Sequence, residues 1–190
     1  MPAPYAQPRG GYQHDGFYFR VLLGPGYLLS FASPARGDSL KVRGLGIAFA
    51  SAVGLAVRPN LALFAELAST SVDDPTVAET GYRTAEATGT RATLLGFGGG
   101  AAYFSPGNLY LSGTLGASQF SFNDRGTGET LSKTSTSVGA ALRGGIETWV
   151  SPEWAIGAGG QLTFASLRQS DADYRWTILT FALLISATYN

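Results

Sequence analysis

The sequence predicts an all-β fold: an eight-stranded antiparallel transmembrane β-barrel that is closed and has a lumen filled by side chains. Three observations lead to this prediction: eight segments of alternating large and small residues, connections that alternate between short and long, and a low content of charge. Charged residues make up 14% of the 190 residues, whereas about 25% is usual in a soluble domain. No run of about 18 apolar residues is present, so no membrane-spanning helix is predicted.

Composition excludes several classes of function. The formal net charge is zero, so no basic surface for nucleic acid is predicted. The chain contains no cysteine, which excludes disulfide bonds, thiolate metal sites and cysteine nucleophiles. A length of 190 residues is that of a single domain.

Eight segments have the two-residue periodicity of β-strands. The predicted strands span residues 16–33, 40–57, 61–70, 91–104, 109–122, 135–150, 154–167 and 175–189. An even number of antiparallel strands closes a barrel with both chain ends at the same rim. Residues 1–15 precede the first strand and are predicted to form a flexible periplasmic lead-in, which leaves residues 16–190 for the barrel.

The connections between the predicted strands are of two kinds. Residues 58–60, 105–108 and 151–153 are tight connections that each contain a proline suited to a turn. Residues 34–39, 71–90, 123–134 and 168–174 are longer and polar. Short turns at one rim and longer loops at the other are typical of outer-membrane barrels, in which the turns face the periplasm.

The composition of the two strand faces indicates which face meets lipid. In the second predicted strand Leu45, Ile47 and Phe49 alternate with Gly46 and Ala48. A soluble sheet would cover its weaker face with charged residues, at about 25–35% of surface positions. Here the residues of that face are small and nearly uncharged, as a narrow lumen requires. The face with large aliphatic residues is therefore predicted to contact lipid.

Four charged residues lie well inside the predicted strands: Arg20, Glu66, Arg143 and Glu147. All four fall on the small-residue face and are therefore predicted to point into the lumen. Counted from the turn-side rim, Glu66 and Arg143 lie at similar heights, as do Arg20 and Glu147. Because buried charges need partners, we predict a structural ion-pair network that plugs the lumen; conduction of protons or ions is the alternative.

Aromatic residues near the strand ends are predicted to form interfacial girdles. Trp149 and Trp154 bracket a tight turn, Trp176 begins the last strand, and Tyr189 ends it. We therefore predict that these four side chains lie at the two membrane interfaces.

The chain resembles the small outer-membrane β-barrel superfamily, the OmpA/OmpX-like proteins of Gram-negative bacteria, over nearly its whole length. The most specific part of the resemblance is the last strand, in which the residues on one face are Phe181, Leu183, Ile185, Ala187 and Tyr189. The family usually ends on that aromatic residue, whereas Asn190 follows Tyr189 here. The resemblance implies an outer-membrane location and an exported precursor. No apolar signal segment is visible in residues 1–16, so we expect this chain to be a mature form with an added Met1.

Several motifs carry weaker functional hypotheses. His14 is the only histidine; a flexible lead-in gives it no scaffold for nucleophilic catalysis, and the lipid A deacylases that resemble this fold use a histidine on a strand. Arg36-Gly37-Asp38 in the first long loop matches an adhesion tripeptide. A three-residue match is weak evidence, so we interpret it as an ordinary loop sequence. The glycine clusters match no phosphate-binding motif, and the acidic loop 71–90 lacks EF-hand spacing.

The sequence therefore predicts a monomeric, non-enzymatic outer-membrane barrel with no catalytic, metal-binding or cofactor-binding residues. Its expected partners are outer-membrane lipid or lipopolysaccharide, and an extracellular ligand or protein that contacts the long loops. Two alternatives remain open at this point: a narrow channel for small solutes or ions, and a soluble lipocalin-like carrier.

Overall fold

A computed structural model describes residues 14, 16–34, 39–79, 84–168 and 174–189. The regular elements of these residues are all strands: β1 (Gly16–Pro34), β2 (Leu40–Arg58), β3 (Leu61–Asp73), β4 (Thr76–Glu79), β5 (Ala85–Glu86), β6 (Thr90–Phe104), β7 (Leu109–Asp124), β8 (Thr130–Lys133), β9 (Ser137–Trp149), β10 (Trp154–Arg168) and β11 (Tyr174–Tyr189). Within the described ranges, no helix is long and apolar enough to cross a membrane.

The eight long strands close into an antiparallel barrel. Neighbours in the sheet follow the order β1, β11, β10, β9, β7, β6, β3, β2, and β1 also pairs with β2, which closes the ring. A row of paired residues that starts at Phe17 and is followed around the barrel returns to β1 at Tyr27, a stagger of ten residues. Such a stagger requires the strands to tilt relative to the barrel axis. The predicted all-β fold, a closed eight-stranded antiparallel barrel, is confirmed.

The structure differs from the predicted strands mainly in the loops. The predicted loop 71–90 contains the end of β3 together with β4 and β5. β2 begins at Leu40, whereas β3 pairs only with residues 47–58 of β2. Residues 40–43 of β2 pair with β4 instead. This pairing satisfies backbone groups that would otherwise form an open sheet edge. Similarly, β8 lies within the predicted loop 123–134 and pairs with β7.

The two faces of the barrel wall have the predicted orientation. Large apolar side chains point outward, as Leu45 shows at 76% exposure, while the alternate residues such as Ala48 and Ala50 are buried. Leu183 and Ile185 of β11 point outward in the same way, whereas Ala182 and Leu184 point inward. This exterior is unsuited to water, so the lipocalin-like alternative is not supported.

The inward side chains form three apolar clusters at different levels. Near the turn-side rim is an aromatic cluster of Tyr18, Ala52, Ala62, Phe64, Ala102, Phe104 and Tyr110. A second cluster contains Leu22 and Leu184 among alanines. The largest cluster occupies the loop-side half, where Leu28, Phe120, Trp176 and Ile178 pack together. The charged residues of the lumen lie among these clusters, toward the turn side.

Candidate functional site in the lumen

The structure brings Arg143 of β9 together with Glu66 of β3 across the lumen. The two terminal guanidinium nitrogens of Arg143 donate to the two carboxylate oxygens of Glu66 at 2.6 and 2.8 Å. Arg143 Nε donates to Gln161 Oε1 at 2.6 Å, and Gln161 Nε2 in turn donates to Thr163 Oγ1 at 3.1 Å. Both oxygens of Glu66 and all three guanidinium nitrogens of Arg143 therefore have hydrogen-bond partners, as a buried ion pair requires.

The other two strand charges form a second pair nearer the turn-side rim. Arg20 Nη2 lies 2.7 Å from Glu147 Oε1, and the hydroxyls of Ser186 and Thr188 donate to the same oxygen at 3.0 and 2.8 Å. Among the described residues, Arg20 Nε and Glu147 Oε2 have no hydrogen-bond partner. Although this pair is as buried as the first, it uses only one oxygen of its carboxylate.

Aromatic rings surround the second pair. The guanidinium of Arg20 lies over the ring of Tyr110, 3.8 Å from its centroid, a cation–π arrangement that strengthens when water is excluded. Glycine on the neighbouring strand makes room for this ring, because a Cβ on Gly145 would lie only 2.8 Å from Tyr110 Cε1. Gly145 thus accommodates an aromatic side chain inside the lumen.

His14 is buried at the turn-side mouth, at 4% exposure. Its ring stacks on Phe104 at a centroid distance of 3.6 Å, and its Nε2 lies 3.9 Å from Glu147 Oε2. The Asn60 backbone N–H donates to the His14 carbonyl oxygen at 3.0 Å, and the His14 N–H donates to Asn60 Oδ1 at 3.3 Å. These contacts hold His14, which the sequence assigns to the lead-in, against the turn-side mouth; the rest of the lead-in, residues 1–13 and 15, lies outside the described residues.

Two of the four predicted interfacial aromatics lie elsewhere. Trp176 is only 5% exposed and packs inside the loop-side cluster against Phe120, at a centroid distance of 5.5 Å. Trp149 lies against His14 at 4.8 Å. Both predictions fail because each tryptophan lies on the inward face of its strand. The sequence already contains this signal, since Trp176 lies two residues from the buried Ile178 and Trp149 two residues from the buried Glu147.

The other two predicted aromatics do lie on the outward side of the turn-side rim. Trp154 and Tyr189 form an edge-to-face pair with centroids 5.2 Å apart, and Phe17 adds a third ring 6.2 Å from Tyr189. Exposed rings at this level have the position expected of an interfacial girdle.

The long loops contain charged contacts of their own. Asp73 accepts hydrogen bonds from Arg91 at 2.6 and 3.1 Å, and Asp74 accepts one from Arg125, which links the second and third long loops at 2.5 Å. No group of three or more possible metal ligands occurs in the part of the chain that the structure describes. Arg36, Gly37 and Asp38 lie outside the described residues.

Comparison with solved structures defines the class of fold. The chain is similar to neisserial surface protein A, with a TM-score of 0.55 and 16% identity, over 92% of this chain and 96% of that one. It is also similar to the outer membrane protein OprG of Pseudomonas aeruginosa (TM-score 0.53, 12% identity, 93% and 98% coverage). A third similar structure is that of the outer membrane protein AlkL (TM-score 0.52, 13% identity, 100% and 96% coverage).

The protein therefore has the fold of the small outer-membrane β-barrels, as its sequence predicted. No protein-family model matches the chain, and no curated protein matches it. At these identities the likeness concerns the fold alone, so the function has to be argued from the residues of this chain.

Proposed function

We propose that this protein is a non-enzymatic component of the outer membrane of a Gram-negative bacterium, with a lumen closed by its own side chains. Its strands span the membrane, and its longer loops and lipid-facing surface make its specific contacts. Outer-membrane lipid, including lipopolysaccharide, surrounds it, and an extracellular ligand or protein binds through the loops. The mature chain is inserted as a monomer after export.

The observation that carries this proposal is the bidentate pair of Arg143 and Glu66 across the lumen. The pair is tied to Gln161 on the next strand, so three strands contribute to one hydrogen-bonded crossing of the barrel. Eight strands leave an interior just wide enough for side chains to fill. An ion that entered this lumen would have to displace a buried salt bridge and then pass an apolar cluster containing Phe120 and Ile178.

A planar-bilayer recording tests the closed lumen. The wild-type protein is expected to give no steady channels, and Glu66→Ala is the variant expected to give measurable conductance because it removes the carboxylate that crosses the lumen. Glu86→Ala serves as the control, since Glu86 is exposed in β5, outside the barrel wall. Clear channels in the wild-type protein would overturn the closed-lumen proposal.

A narrow conductance pathway is the second candidate, and one observation favours it. A cavity of about 40 Å³ lies beside Glu66; its wall is largely glycine and alanine and also includes the hydroxyl-bearing residues Thr70, Thr114 and Ser118. This volume accommodates about three water molecules. The candidate predicts a wild-type proton current across vesicles that is abolished by Glu66→Gln; an equal current in both proteins would exclude it.

A further inference from the structure

We propose that one side of the barrel binds the phosphate groups of membrane lipid through four cationic residues at the loop-side edge of its apolar exterior. These residues, Lys41, Arg43, Arg168 and Arg175, are called the basic patch below. The inference rests on the proposed membrane location and adds the partner chemistry and the residues that recognise it.

The basic patch has members on three strands, β2, β10 and β11, within a run of four neighbouring strands. Lys41 and Arg43 are near the start of β2, Arg168 ends β10, and Arg175 is the second residue of β11. In the sheet the strands run in the order β10, β11, β1, β2. Three strand spacings separate β10 from β2, so the patch is about 15 Å wide. The four cations are therefore close enough to act on one ligand or on two neighbouring ones.

All four side chains belong to the outward face. Lys41 and Arg43 flank the buried Val42, Arg175 precedes the buried Trp176, and Arg168 follows the buried Leu167. On the same outward faces, the next residues toward the membrane centre include large exposed apolar side chains such as Leu45 and Phe164. The basic patch thus lies where an apolar surface ends, which is the level of a lipid headgroup.

Among the residues that the structure describes, no carboxylate neutralises the charge of the basic patch. Over the described residues, none of its four members takes part in a salt bridge. The nearest aromatic partner is Phe31, whose ring centroid lies 5.3 Å from Lys41 Nζ. On β3 and β6, the next two strands beyond β2, Arg91 at the same rim is paired with Asp73. The exterior is therefore asymmetric in charge around its loop-side edge.

The pairing of β10 with β11 sharpens this asymmetry. Arg168 and Arg175 are direct cross-strand partners, and like charges at such positions destabilise a sheet. An anion bound between the two guanidinium groups would remove the repulsion. Guanidinium groups match the oxygens of phosphate in paired hydrogen bonds, and phosphate attached to hydrocarbon fits a cationic site that directly adjoins an apolar one.

Native mass spectrometry of the refolded protein in detergent tests the inference with three probes: diphosphoryl lipid A, the same lipid without phosphates, and inorganic phosphate. The wild-type protein is expected to retain the phosphorylated lipid, and the double variant Arg168→Gln/Arg175→Gln to lose about tenfold in affinity through lost charged hydrogen bonds. Arg58→Gln is the matched control, because Arg58 is an exposed arginine at the opposite rim. Equal retention of both lipids, or unchanged retention by the double variant, would overturn the inference.

The inorganic phosphate probe distinguishes a lipid site from a simple anion site. Millimolar phosphate is expected to leave the phosphorylated lipid bound, since it lacks the apolar contact. If phosphate alone displaces the lipid, the commitment to a lipid is wrong.

Heat-dependent electrophoretic mobility gives a second readout. In lipid-free zwitterionic detergent, Arg168→Gln is expected to raise the unfolding temperature by relieving the repulsion with Arg175, while with lipid A it is expected to be less stabilised than the wild-type protein. A lowered temperature in both conditions would contradict the inference. Complete absence of a heat-modifiable folded form in the wild-type protein would instead refute the proposed membrane barrel.

Discussion

Two bidentate arginine–carboxylate pairs in this protein have similar geometry, but one is buried in the lumen and the other is exposed at the loop-side rim. Arg143 donates to Glu66 at 2.6 and 2.8 Å in the lumen, and Arg91 donates to Asp73 at 2.6 and 3.1 Å at the loop-side rim. The side chains of the first pair are 1% and 3% exposed, whereas those of the second are 48% and 45% exposed. The difference in environment, rather than in distance, sets what each pair contributes.

Burial makes the two pairs unequal when one partner is removed. At the rim, water solvates a guanidinium that has lost its carboxylate, so an exposed pair contributes at most about 1 kcal/mol. In the lumen the remaining charge is cut off from bulk water and is left without a charged partner. The pair of Arg20 and Glu147 lies between these extremes, because it is buried yet the arginine meets only one oxygen of its carboxylate.

The largest effect is expected for Glu66→Ala. This change leaves the Arg143 guanidinium buried with Gln161 as its main remaining partner, and removing one member of a buried pair lowers stability by about 3–5 kcal/mol. Urea unfolding of the protein in lipid vesicles measures the change. The double variant Glu66→Ala/Arg143→Met is expected to recover much of the loss, and a double variant no more stable than the single one would contradict this explanation.

Glu147→Ala is expected to lower stability less, by about 1–3 kcal/mol. Arg20 keeps its contact with the Tyr110 ring and a hydrogen bond to Ser186 Oγ at 3.3 Å, so two groups still stabilise its charge. The same urea titration measures the difference. A loss equal to that of Glu66→Ala would show that the bidentate pair and the pair that uses one carboxylate oxygen are equivalent.

His14→Ala is expected to lower stability by about 1 kcal/mol through loss of the stacked Phe104 contact, and to open the turn-side mouth. Because the chain contains no cysteine, a cysteine placed at the buried Ala155 reports access to this end of the barrel. Faster labelling of Ala155→Cys by a charged thiol reagent is expected when His14 is also replaced. Replacing Gln119, which is half-buried in β7 near the opposite rim, provides the control and should leave the rate unchanged.

The smallest effect is expected for Asp73→Asn. The hydrogen bond from Arg91 lowers the pKa of Asp73 below its ordinary value of 3.8, so the folded protein favours the ionised carboxylate. The contribution is present above the ordinary pKa and is lost as the pH falls through the lower pKa of the folded state. Unfolding of wild type and variant should differ by less than about 1 kcal/mol at neutral pH and converge in acid; a difference as large as that for Glu66→Ala would overturn the comparison.

Much of the fold could be predicted because its signals are local. The alternation of Leu45, Ile47 and Phe49 with small residues identified both the strand and its lipid-facing side, since successive side chains of a strand point to opposite faces. The strand bounds agree to within three residues at either end. The loop strands β4 and β8 were not predicted, because their pairing depends on how far β2 and β7 extend.

The candidate site shows the limit of the same reasoning. Parity places Trp149 and Trp176 inside the lumen, so that error came from weighing residue type above phase. His14 is different, since no periodicity reaches it and its position depends on Asn60, which is 46 residues away in the chain. The adjacency of Arg168 and Arg175 likewise follows only from the register of β10 and β11.

The sequence by itself determined the two-faced character of each strand, because alternation is a property of neighbouring residues and of the pleated backbone. It also placed the four strand charges on the inner face. Only the tertiary structure decided which groups meet, such as Arg143 with Glu66 at a separation of 77 residues. The reason is that closure and stagger of the barrel are collective: each strand's register is fixed by both of its neighbours, and the lumen exists only when the last strand pairs with the first.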